Sequence, residues 1–129
     1  LLFNDFQERL QKAINYSSID FDILYLGYTR VKKNYKSKHD LHLIIKDKTM
    51  EKTFGGLFGY IITKNGAKKI LDYIKKNNIT EAIDWIPIRM NNQKYITTCS
   101  IEPSICSSPM YCDDTNTDIQ NDYKCLVFN

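Results

Sequence analysis

The chain has 129 residues, 43% of them hydrophobic and 26% charged, with a formal net charge of +3. That length suits one domain or part of one, with enough apolar residues to bury a core. The charge is too mild to mark a nucleic-acid binder, and no apolar run approaches the roughly 20 residues of a membrane-spanning helix.

Leu2, Phe3, Phe6, Leu10, Ala13 and Ile14 follow helical spacing, and Asn15-Tyr16-Ser17-Ser18 ends that run. Phe21 to Leu26 reads as a strand buried on both faces, since apolar residues fill nearly every position. Asp22 opens that strand, where a carboxylate usually satisfies loop N–H groups, so its expected role is structural. Thr29 to Lys38 is basic and reads as an exposed loop. Arg30, Lys32, Lys33, Lys36 and Lys38 with Tyr28 and Tyr35 have the chemistry of a single-strand nucleic-acid contact. The patch is short, however, and a solvated loop is the stronger reading. Leu41 to Ile45 suggests a short strand. His39 and His42 have no nearby cysteine and no third ligand, which argues against a metal site.

The stretch from Gly55 to Leu71 is the most specified part of the chain. Glycines lead into a short apolar strand, and the strand leads into an amphipathic helix. Glycine before a buried strand lets the backbone approach a bulky polar group closely. Thr63 is the predicted N-cap. Ala67, Ile70, Leu71 and Ile74 form the predicted apolar stripe, with Lys68, Lys69, Lys75 and Lys76 off it near the negative end of the helix dipole. Gly59 is expected to pack strand against helix, Tyr60 to be half buried, and Asn77-Asn78 to stop the helix.

Thr80 to Met90 holds a further predicted helix. With Asp84 as its N-cap, Pro87 becomes the third helical residue, where its missing N–H costs little. Tyr95 to Cys99 reads as a strand, Asp113 to Asp122 as an acidic turn-rich loop, and Cys125 to Phe128 as an apolar stretch that docks on the core. Cys99, Cys106, Cys112 and Cys125 lack the paired spacing of a zinc site, and reduced thiols are expected. The alternation of helices and strands argues for an α/β layer arrangement.

Four segments resemble glycosyltransferase family 25, found in lipopolysaccharide-biosynthesis and collagen-galactosyltransferase domains. They are Asp22-Ile23-Leu24-Tyr25-Leu26-Gly27, the run Gly59-Tyr60-Ile61-Ile62-Thr63 with Asn65-Gly66-Ala67-Lys68-Lys69-Ile70-Leu71, Asp84-Trp85, and Pro103 followed by Thr117-Asp118-Ile119-Gln120. Their order fits the C-terminal half of such a domain. The resemblance implies a Rossmann-like nucleotide-sugar transferase fold and inverting transfer of a hexose, from a UDP-linked donor to a protein or glycan hydroxyl.

It implies a general-base role for Asp84, which would take the proton of the attacking hydroxyl. The competing reading makes Asp84 a helix cap only. The two are compatible, because a helix N-terminus also favours negative charge. Gly55 and Gly56 are candidates for the sugar pocket, against a plain strand-entry turn. Trp85 is a candidate stacking face, against a core residue. Asp118 is the candidate ligand for a divalent cation, expected to be manganese, with Asp113 and Asp114 as alternatives and a solvated loop as the rival reading for all three. No histidine follows Met50, a departure from relatives with a C-terminal histidine ligand.

The family's acidic metal-binding cluster lies just before the segment matching Leu2 to Ile14, so the main ligands are expected outside this chain. With Leu1 first and Met50 the earliest methionine, the chain is expected to be an excerpt or a processed product. A half domain would expose apolar surface, which a homodimer could cover. With no secretory signal at its start, a cytoplasmic location is expected. The sequence lacks a Gly-x-Ser-x-Gly elbow, a phosphate loop and a His-Glu-x-x-His motif, which removes support for hydrolase, nucleotide-triphosphatase and zinc-protease readings. The alternative function is a non-catalytic module of the same fold.

Overall fold

A computed structural model describes residues 5–16, 19–30, 43–48 and 54–106 of the chain. The elements run α1 (Phe6–Tyr16), β1 (Ile23–Arg30), β2 (Leu43–Lys46), β3 (Phe54–Ile62), α2 (Lys64–Asn77), α3 (Trp85–Asn92) and β4 (Thr98–Glu102). The strands form one mixed sheet in the order β2-β4-β1-β3. Strand β1 runs parallel to β4 and antiparallel to β3, while β2 is antiparallel to β4. The described residues therefore form a small α/β domain with a four-stranded mixed sheet and three helices.

Side chains alternate across a strand, so the register assigns each residue to a face. Leu24 pairs with Cys99, and both join Ala13, Ile44 and Ile101 in a core with α1 on one side of the sheet. Ile23 and Tyr25 face the other way and pack with Ile86, Ile88 and Met90 of α3, with Ile70, Tyr73 and Ile74 of α2 at the margin. This arrangement buries β1 on both faces, as its continuous apolar run predicts.

Helix α2 begins where its cap is encoded. Thr63 Oγ1 accepts the Gly66 amide at 3.0 Å, a cap whose loss typically costs about 1 kcal/mol. The helix ends at Asn78, which takes φ 61° and donates its N–H to the Ile74 carbonyl at 2.8 Å. The buried stripe differs from the expected one. Leu71 is 57% exposed, and the face toward the sheet is Gly66, Ile70, Tyr73 and Ile74, because the helix is rotated to bring Gly66 down beside Asp22.

Asp22 has the predicted structural role. Its carboxylate accepts the Thr97 amide at 2.9 Å and the Lys69 ammonium at 2.8 and 3.0 Å, tying β1 to α2 and to the approach to β4. Helix α3 closes with a left-handed turn. Lys94 takes φ 63°, the Tyr95 amide reaches the Met90 carbonyl at 2.9 Å, and the Lys94 amide reaches Asn91 at 2.9 Å. These six-to-one and five-to-two bonds are the Schellman pattern.

Several boundaries shift from the sequence expectation. Strand β3 starts at Phe54, so Gly55 and Gly56 lie within it and not before it. Strand β4 begins at Thr98, three residues later than expected, because Tyr95 is held by the helix closure and Thr97 by Asp22. Gly59 does not pack on a helix. A Cβ there would meet Cys106 Sγ at 2.6 Å, and one at Gly27, its partner across the strands, would meet the same sulfur at 2.5 Å. The two glycines cradle a thiol.

Cys99 and Cys106 are buried free thiols. No helix among the described residues is long and apolar enough to cross a membrane. Asp113, Asp114, Asp118, Cys112, Cys125, His39, His42 and the apolar stretch ending at Phe128 lie outside the described residues, as does most of the basic loop.

Candidate functional site

Asp84 stands at the N-cap position of α3 but does not cap it. Its backbone is helical (φ −71°, ψ −21°) and its side chain makes no bond to its own first turn. Instead Oδ2 accepts the Gly56 backbone amide at 3.3 Å. The cap reading is therefore corrected: the carboxylate bridges to β3. Pro87 occupies the third helical position as expected, since α3 starts at Trp85.

Gly56 takes φ +85°, a conformation that side chains rarely adopt, and a Cβ there would meet the Phe58 ring at 2.5 Å. That backbone turn places an N–H toward Asp84. Gly55 pairs across the sheet with Thr29. Of the sequence candidates, then, Asp84 and Gly56 are brought into contact, with Gly55 and Trp85 adjacent in the chain. Trp85 is partly buried against the core cluster under α3, so core packing accounts for much of its surface.

Beneath α3 lies a row of buried polar groups that sequence reasoning did not find. Thr98, Ser100 and Glu102 alternate on the β4 face toward the helix, and Glu102 is only 1% exposed. Asp47 accepts Thr98 Oγ1 at 2.8 Å and Ser100 Oγ at 2.7 Å. Glu102 accepts the Tyr28 hydroxyl at 3.0 Å. Asn91 spans the gap, donating to the Lys48 carbonyl at 3.1 Å and accepting the Thr98 amide at 3.1 Å. The signal was present in β4, where polar and apolar residues alternate, and in Asn91, a polar residue at the end of an apolar helix. Burial pushes the Tyr25 hydroxyl well above the usual phenol range, and the charges of Asp47 and then Asp84 push it further. Tyr25 thus stays protonated.

Among the described residues no three His, Cys, Asp or Glu side chains converge on a point that could hold a cation. The expected ligands, Asp118 and those anticipated outside this chain, are not among the described residues. Among the described residues an open groove of about 410 Å³ lies at the other end of α3, between that end and α2. Asp84 does not line it. No family model, no curated protein and no solved structure matches this chain.

Proposed function

We propose that the chain is the acceptor-side part of an inverting hexosyltransferase domain with a Rossmann-like nucleotide-sugar transferase fold, and that Asp84 is its general base. The reading rests on the family resemblance of the four sequence segments and on one contact. Asp84 Oδ2, free of its own helix and only partly buried, is held at 3.3 Å by the Gly56 amide. One lone pair is anchored, and the carboxylate has further acceptor positions with which to meet a substrate hydroxyl.

In this reaction the acceptor O–H gives its proton to the Asp84 carboxylate as its oxygen attacks the anomeric carbon. The bond from that carbon to the diphosphate oxygen breaks, and the nucleoside diphosphate leaves with the bonding pair. A divalent cation, manganese by the resemblance, would supply charge neutralisation of the departing diphosphate, with ligands drawn from outside the described residues. Asp118 is the candidate from this chain. Gly55 and Gly56 offer backbone approach without a Cβ, and Trp85 offers its uncovered surface to a sugar ring.

The test is transfer from UDP-glucose and UDP-galactose by the full-length protein with manganese, wild type against Asp84→Asn. Turnover that Asp84→Asn abolishes supports the reading. An absence of donor turnover favours the non-catalytic module, and an active Asp84→Asn protein removes the base from Asp84.

A further inference from the structure

The groove at the far end of α3 is a second candidate site, independent of Asp84. Its walls come from the outer flank of α2 and from the turn that closes α3. The left-handed Lys94 and the Tyr95-to-Met90 bond fix the turn, and with it the start of the Tyr95 side chain. Tyr95 is 60% exposed, and its ring stands 6.1 Å from that of Tyr73 with the planes tilted by 56°. An exposed aromatic resting against a second ring offers a flat apolar surface, and a tyrosine has few rotamers to lose on binding.

The charge of the groove decides the ligand class. Two lysines and one aspartate line it. The Lys69 ammonium is already committed to Asp22, at 2.8 and 3.0 Å. That leaves Lys76 and Asp72, which cancel formally, so the groove has no net attraction for an anion. Its uncharged polar residues are the amides Asn77 and Gln93, beside the two tyrosines. The Asn77 amide nitrogen donates to the Tyr73 carbonyl at 2.9 Å, which orients that side chain. Aromatic faces combined with planar amides, one of them oriented, and charges that cancel formally suit a ligand that is apolar on its ring faces and rich in hydroxyls at its edge.

We propose that this groove binds an uncharged saccharide, stacked on Tyr95 and hydrogen-bonded by Gln93 and Asn77. Its volume falls at the small end of the roughly 300–1,000 Å³ typical of ligand sites, enough for one or two sugar rings. The site is shallow and open, so millimolar affinity is expected.

Ligand-observed and protein-observed NMR titration with lactose, maltose and cellobiose tests this, with a sulfated disaccharide as the charged comparator. At least one neutral disaccharide should bind in the millimolar range and shift the Tyr95 and Gln93 resonances. Its affinity should be unchanged between about 50 and 500 mM salt, a range over which charge attraction is strongly screened. Tyr95→Ala, at an exposed position, should keep the fold and weaken binding about tenfold. Three outcomes would each overturn the proposal: no binding by any of the three neutral sugars, tighter and salt-sensitive binding of the sulfated one, or affinity unchanged in Tyr95→Ala.

Discussion

The Gly56 amide donates to the Asp84 carboxylate across 3.3 Å, joining β3 to the start of α3 over 28 residues of chain. The contact exists because Gly56 adopts φ +85°. Gly56→Ala forces a left-handed alanine, at a cost of roughly 1–2 kcal/mol, while the Phe58 ring can swing aside. The urea midpoint should fall accordingly. An unchanged midpoint would mean that the positive φ is not required.

Cys106 provides a sharper test of packing. Gly59→Ala drives a methyl into Cys106 Sγ and should destabilise by about 1–3 kcal/mol. Cys106→Ala removes the sulfur and should restore most of that loss, giving a clear coupling energy in a double-mutant cycle. At Gly27 the same rescue should fail, because a methyl there also meets the Cys106 backbone carbonyl. Equal rescue at both glycines would contradict the cradle.

Stability should decline in alkali. Burial pushes the Cys99 thiol up to about 11 from 9.0, and Cys106 and Tyr25 are also raised, chiefly by burial. Their folded values exceed their unfolded ones, so their contribution is intact below about pH 9. Above that the unfolded chain ionises first and holds fewer protons than the folded one, and stability falls with rising pH. Urea midpoints measured from neutral to alkaline pH check this. A flat profile through pH 9 to 11 would contradict it.

Lys94 is a non-glycine residue at the left-handed position of the α3 closure. Lys94→Gly should raise stability by about 1 kcal/mol, seen as a higher melting temperature. A lower one would show that the lysine side chain contributes more than its backbone costs.

Local chemistry was readable in the sequence. Thr63 caps α2, Asn78 stops it, Pro87 sits third in α3, and Asp22 satisfies a loop amide, because each depends on neighbours a few residues away or on a general habit of its residue type. What depended on packing was not readable. Leu71 and Ile70 fit the same stripe by spacing, and only the rotation set by Gly66 against Asp22 decides that Ile70 is covered. The partner of Asp84 is 28 residues away, so local pattern suggested a cap where the fold makes a bridge. The polar row of Asp47, Thr98, Ser100 and Glu102 requires knowing that β2 and β4 are neighbours, which no local signal states.

The central claim concerns the Asp84 carboxylate as the acceptor of the hydroxyl proton. The most direct measurement is the rate of hexose transfer by the full-length protein with manganese, comparing wild type with Asp84→Asn. The asparagine carbonyl can still accept from Gly56, so folding should survive while the rate falls about 100- to 10,000-fold, as loss of a general base predicts. A folded Asp84→Asn protein that transfers sugar at the wild-type rate would contradict the account.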